Sequence, residues 1–249
     1  MQPATASASM PAPSGMSEVN RILGIFWDPK PVYRDLAAKP RWWVPMILLM
    51  IVSVTMIYTF SHKIGWETFI QKQIEQQMMR NPQMTQPPAE QLQIGIKIAG
   101  TMGYVMSVIG GPIFALLIAA LLTFVFKTLG GVDVTFKQSF SFTYYSYLPN
   151  AIAQILAIVV MFFVIPADFD LNNPVALNVA WFLDPATTPA WLRAPARFLD
   201  VFWIWSMLLT ALGFSTATKR LKYSKSVALV ASVWLVFAAI ATGWAAMFG

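Results

Sequence analysis

Residues 130–154 read GGVDVTFKQSFSFTYYSYLPNAIAQ. The stretch opens on Gly130 and Gly131, carries Phe136 and Lys137 and a run of Tyr144, Tyr145 and Tyr147, and enters an apolar helix through Pro149 and Asn150. It is the one polar, turn-rich interval between two long apolar blocks, residues 103–126 and 148–165. Similar blocks cover 43–60, 198–214 and 227–248. A helix rising ~1.5 Å per residue needs roughly 17–25 apolar residues to cross a hydrocarbon core of ~30 Å. Each block meets that length, and none alternates apolar with polar residues as a β-barrel strand does. The fold class expected is therefore all-α, a polytopic five-transmembrane-helix bundle with short interfacial helices.

Composition supports that class. Hydrophobic residues make up 57% of the chain and charged residues 11%, with a mean hydropathy of +0.59. Soluble domains carry about a quarter charged residues, so this chain lacks the charge to cover a water-soluble surface. The net charge of +6 arises from basic residues that flank apolar blocks, not from one polar face beside stackable aromatics, and no nucleic-acid partner is expected. With no cysteine, disulfide and thiol chemistry are excluded.

Working outward, residues 1–16 form an Ala/Ser/Pro/Met-rich tail with no basic start and no continuous apolar core. A disordered tail is expected there rather than a secretory signal, with Met16 an alternative start. Residues 17–42 form a second unit. Ser17 can cap a short helix on which Val19, Ile22, Leu23 and Phe26 recur at helical spacing, and Trp27-Asp28-Pro29 stops it. Val32, Tyr33 and Leu36 begin another apolar face before Trp42 and Trp43. Two readings stand here: an amphipathic segment at the headgroup level, or helices packed on the cytosolic side of the bundle. Residues 43–249 are the membrane domain.

Lys and Arg are unevenly shared between the two sides. Arg21, Lys30, Arg34, Lys39, Arg41, Lys127 and Lys137 fall on one side with the 219–225 run KRLKYSK, whose bases are Lys219, Arg220, Lys222 and Lys225. Fewer bases fall on the other. The excess marks the cytoplasmic side, so the N-terminus is expected inside and the C-terminus outside a bacterial inner membrane. The two outer loops carry their own helical patterns. Trp66, Phe69, Ile70, Ile74 and Met78 share a face ended by Asn81-Pro82, a helix from near Ala89 leads into the second span, and Asn173-Pro174 can start a short helix over 175–183.

Polar groups inside apolar blocks are costly and count as functional candidates. Asn150 and Gln154 lie four apart on one helical face, open to interhelical packing or to a ligand pathway. Asp200 begins the fourth block, either anchored by the helix dipole and a pair with Arg197 or serving as a buried proton or cation site. Gly130 and Gly131 can end the second helix. Phe136, Phe140, Tyr144 and Tyr147 can form an aromatic stripe, read as an interfacial belt. Gly103, Gly110 and Gly111 read as close-packing contacts and Pro112 as a kink. His62 stands alone, with no acidic cluster to make a metal site, and no GxSxG elbow, Walker loop, HExxH or dinucleotide motif is present.

Three segments carry a resemblance: ILGIFWDPKPVYRDLAAKPRWWVP before the first span, LGGVDVTFKQSFSFTYYSYLPNAI between the second and third, and LDVFWIWSMLLTALGFSTATKRLKYSKSVAL near the end. From about Asn20 onward the chain resembles a bacterial member of the Yip1 family of multi-pass membrane proteins. The resemblance implies an all-helical bundle with no catalytic centre and no cofactor. Eukaryotic members of that family resemble adaptors that bind Rab-type GTPases in vesicle traffic. This chain lacks their DLYGP-like motif, so the resemblance does not extend to a GTPase partner.

The leading expectation is a non-enzymatic membrane protein that recruits or organises partners through its cytosolic face. Candidate contacts are Gly130, Gly131, Phe136, Lys137, Tyr147, Pro149, Lys219, Arg220, Lys222 and Lys225. Basic residues at the membrane surface also suit anionic lipid. The alternative is a small oligomeric transporter or channel using Asn150, Gln154 and Asp200. A membrane-embedded hydrolase lacks any nucleophile–base pair.

Overall fold

The computed structural model describes residues 15–81, 83–171, 173–184, 187–218 and 220–248. The expected tail over 1–14 and the candidate Lys219 lie outside the described residues. Among the described residues ten α-helices account for most of the length: α1 Glu18–Trp27, α2 Pro29–Ala38, α3 Trp43–Lys63, α4 Trp66–Arg80, α5 Ala89–Thr128, α6 Phe136–Ser146, α7 Leu148–Val160, α8 Ala190–Phe198, α9 Val201–Thr216 and α10 Tyr223–Phe248.

Local chemistry sets most boundaries. Ser17 caps α1 by accepting from Asn20 N, and Pro29 stands at the start of α2, where its missing N–H costs nothing. Gly65, at φ +87, turns the chain between α3 and α4. Thr135 and Gln138 form a reciprocal capping box on α6, which the sequence reading missed although T-x-x-Q is its signature.

Among the described residues three helices are long and apolar enough to cross a membrane: α3, α5 and α10. At ~1.5 Å per residue the 40 residues of α5 run about 60 Å, so its first turns extend well beyond the apolar block at 103–126. Helix α9, with 16 residues, and α7, with 13, are shorter apolar elements of about 24 and 20 Å. The third apolar block is not one straight helix to residue 165. It ends at Val160 and continues as turns and a 3-10 helix, Pro166–Asp168.

The packing places α6 at the centre, against α2, α5 and α9. Residues Ser139 to Ser146 are all buried, so Phe140 and Tyr144 of the aromatic stripe pack inside the protein with Trp42, Ala115 and Ala119 and do not form an exposed belt. Burial of this polar-looking helix is possible because Ser141 and Thr143 donate to the carbonyls of Lys137 and Ser139 at 2.8 and 2.9 Å. These two hydroxyls are satisfied without leaving the helix, whereas Ser139 Oγ is buried without a partner.

The largest core cluster fills the end that bears α1 and α2. Phe126 stacks on Phe214 with ring centroids 3.9 Å apart, and Phe142 meets Phe214 edge-on. Tyr33 packs against Phe142 and the bare face of Gly213. Large apolar side chains such as Ile51, Leu117 and Leu235 lie exposed on α3, α5 and α10. Surfaces of this kind are stable in lipid, not in water.

Two further expectations differ from the structure. No α-helix forms over 175–183: Ala176 takes φ +53, Asn178 bridges Asp200, and only Val179–Phe182 form a 3-10 helix. Of the three α5 glycines expected to be close-packing contacts, Gly103 is one, with a Cβ falling 2.4 Å from the Trp66 ring. A Cβ on Gly110 would meet only Met106 of its own helix, and one on Gly111 would meet open space.

Candidate functional site

At the core-filled end, a charged network pins the N-terminal hairpin to α6. Arg21 is 2% exposed; its Nε donates to Asp35 Oδ2 at 2.7 Å and Nη1 to Glu18 Oε1 at 3.0 Å. Glu18 in turn accepts from Tyr145 at 2.6 Å and from Arg41 at 3.2 Å. The Tyr33 hydroxyl and Ser146 Oγ share a buried hydrogen bond of 2.6 Å, and Gln138 Nε2 donates to Ala37 O at 2.7 Å. Burial works against the Arg21 charge, but the Asp35 hydrogen bond and the two carboxylates hold its pKa above the ordinary value. Burial, then Glu18, pushes the Tyr145 phenol up. Nothing in the sequence pattern distinguished Arg21 from the other bases around it.

On this end Lys137, Arg220, Lys222 and Lys225 are exposed, while Leu221 between them is buried with Val132 and Val134 in the main core. Gly130 holds its turn by close approach, since a Cβ there would fall 2.5 Å from Phe126 O; Gly131 takes φ +65. Phe136 is exposed and stacks on Phe140. Pro149 is buried. The outer face of α1 carries Val19, Leu23 and Trp27 at four-residue spacing, all exposed, Trp27 by 86%.

Between α3, the middle of α5, α7 and the start of α9 lies a cavity of about 510 Å³. It brings together the three intramembrane polar candidates, Asn150, Gln154 and Asp200, with Tyr144 and Tyr147. Positions 144, 147, 150 and 154 follow one another at helical spacing, so the α6–α7 rod presents one polar stripe to the cavity. Asn150 Nδ2 donates to Ser206 Oγ at 2.8 Å, tying α7 to α9. Asp200 caps α9, its Oδ1 accepting from Phe202 N and Trp203 N at 2.9 and 3.1 Å. The expected pair with Arg197 does not form, and among the described residues neither side chain has an ion-pair partner.

The segment 173–178 completes the wall. Asn178 Nδ2 donates to Asn173 Oδ1 at 2.7 Å, while Asn178 Oδ1 is buried with no partner. The Tyr144 hydroxyl, on a side chain 2% exposed, is also buried without one. Orphaned buried polar atoms carry a desolvation cost. The sequence reading found Asn150, Gln154 and Asp200 but missed Tyr144, Asn173 and Asn178 as members of the same site. Among the described residues no group of acidic and His side chains could hold a metal ion.

The family model of the Yip1 domain matches residues 23–245. No curated protein and no solved structure matches the chain.

Proposed function

The chain belongs to the Yip1 domain family, and from that premise we propose a non-enzymatic, multi-pass membrane protein that recruits or organises partners at its cytosolic face. The bacterial inner membrane is the compartment we propose, with the α1–α2 end inside, five spans, and the 148–165 block that opens with α7 and the 198–214 block that holds α9 completing the two that lie outside the three longest helices. The observation that carries the reading is the rigid mounting of α1. Its inner side is locked through Arg21 and Glu18 to Asp35 and Tyr145, while Val19, Leu23 and Trp27 remain exposed, as do the bases Lys137, Arg220, Lys222 and Lys225. An exposed apolar helical stripe suits a partner helix, and exposed bases suit an anionic lipid surface.

In-cell crosslinking of the tagged chain, followed by mild-detergent capture and mass spectrometry, tests it. A stoichiometric partner that disappears on Leu23→Glu or on charge reversal at Lys222 and Lys225 is expected. An unchanged crosslink pattern in both variants would sink the proposal, and self-crosslinks alone would point to a homo-oligomer.

The second reading is a transporter or channel, favoured by the convergence of Asn150, Gln154 and Asp200 on one cavity. A continuous pore would need more, because the Phe126, Phe142 and Phe214 cluster fills the bundle toward the basic end. Flux in liposomes that is abolished by Asp200→Ala and Gln154→Leu would favour it.

A further inference from the structure

We propose that the cavity beside Asp200 binds the headgroup of a zwitterionic aminophospholipid, its ammonium on Asp200 and its phosphate on Arg197. The inference is independent of the docking face at α1. Arg197, at the end of α8, and Asp200, at the cap of α9, carry opposite charges three residues apart in the chain, both line the cavity, and neither finds an ion-pair partner among the described residues. Two opposite charges that decline each other match a ligand that carries both.

The cavity wall holds acceptors that lack donors. Asp200 Oδ2 accepts no hydrogen bond among the described residues, Asn178 Oδ1 is buried and unpartnered, and the Asn150 amide donates to Tyr147 O and Ser206 Oγ while its oxygen accepts no hydrogen bond among the described residues. These acceptors suit a donor such as an ammonium, while the N–H groups of Arg197 and Gln154 in the same wall suit the acceptor oxygens of a phosphate. A primary ammonium brings three N–H bonds and a charge for the carboxylate. Phe114 and Trp203 in the wall add ring faces that attract a cation. The Tyr144 hydroxyl supplies the remaining buried partner.

The rest of the space suits a chain. Met46, Leu49, Met50 and Met56 of α3 form an apolar wall, and methionine adapts to irregular occupants. A second cavity of about 670 Å³, lined only by apolar and aromatic side chains of α8, α9, α10 and the 3-10 helix, shares Phe198 with the first. A charged pair between two apolar hollows has the layout of a lipid: one polar junction, two tails.

The test uses the purified full chain in mild detergent, offered an equimolar mixture of dioleoyl phosphatidylethanolamine, phosphatidylcholine and phosphatidylglycerol, with bound lipid read by native mass spectrometry. Phosphatidylethanolamine should be retained about tenfold over phosphatidylcholine, whose methylated amine has no N–H, as expected for a charge-assisted hydrogen bond. Asp200→Asn keeps a good helix cap and should lose most of that preference with an unchanged melting temperature, and Arg197→Gln should weaken retention of all phospholipids. Equal retention of the three lipids by the native chain overturns the proposal, whether or not the variants fold. So does a phosphatidylethanolamine preference that survives Asp200→Asn. Soluble phosphoethanolamine shares the head chemistry. If it displaces the lipid completely at millimolar concentration, the apolar walls contribute nothing and the lipid assignment fails.

Discussion

The hydroxyl of Tyr145 donates to Glu18 Oε2 across 2.6 Å, joining residues 127 positions apart in the chain. Glu18 also receives Arg21, whose own second partner is Asp35 of α2. One carboxylate therefore links α1 to α6, and one guanidinium links α1 to α2. Removing either leaves a buried polar group without its partner, which is costlier than replacing the pair together.

Arg21→Met should destabilise the protein by about 3 kcal/mol, because Asp35 then loses the ion pair made with a side chain only 2% exposed. Tyr145→Phe should cost about 1 kcal/mol. Thermal unfolding in detergent, run as a double-mutant cycle with Glu18→Gln, checks both. A coupling energy of zero between Tyr145 and Glu18 would show that the hydrogen bond does not hold the hairpin.

Alkaline pH should loosen the same region. Burial first, and for Tyr145 also Glu18, raises the phenols of Tyr33 and Tyr145 above their ordinary value. An unfolded tyrosine ionises near pH ~10, so the folded state retains these protons where the unfolded state has lost them. Their stabilising contribution is complete below pH ~10 and declines as pH rises through the folded values. Tyrosinate absorbance should therefore show a late fraction whose appearance coincides with unfolding. Tyr33→Phe with Tyr145→Phe should remove it.

Two glycine substitutions should part company. A Cβ at Gly213 falls 3.0 Å from the Tyr33 ring and 3.1 Å from Phe142, so Gly213→Ala should cost about 1–3 kcal/mol by overpacking. A Cβ at Gly111 meets nothing within 4 Å, and Gly111→Ala should be neutral or stabilising by up to about 1 kcal/mol through helix propensity. Melting temperatures of the two variants settle the comparison, and equal losses would contradict the packing described.

Orientation is open to direct labelling because the chain has no cysteine. Lys222→Cys should react with a membrane-impermeant maleimide only after cells are lysed, and Thr187→Cys in intact cells whose outer layer is permeabilised. The reverse pattern would place α1 and α2 on the outer side.

The long apolar helices were legible because uninterrupted hydrophobicity has no other stable use at that length, and the start of α5 at Ala89 followed from Pro87-Pro88. The burial of α6 was not. Ser139, Ser141, Thr143 and Ser146 fall in what reads as a polar, turn-rich interval, and only the structure shows Ser141 and Thr143 bonding within their own helix and Ser146 meeting Tyr33. The cavity was legible in part. Asn150 and Gln154 share a helical face by spacing alone, whereas the approach of Asn178 to Asp200 depends on a turn at Ala176 that no propensity favours.

Tyr144 and Tyr145 are neighbours in the chain, yet one hydroxyl lies in the cavity wall and the other at the hairpin. Successive residues of a helix point about 100° apart, so a single rigid rod touches both compartments. Helix α6 cannot roll to suit one without dragging the other. Any rotation of α6 that alters the packing around Tyr144 would also displace the Tyr145 hydroxyl that donates to Glu18 of α1. The buried helix is the axle of the molecule.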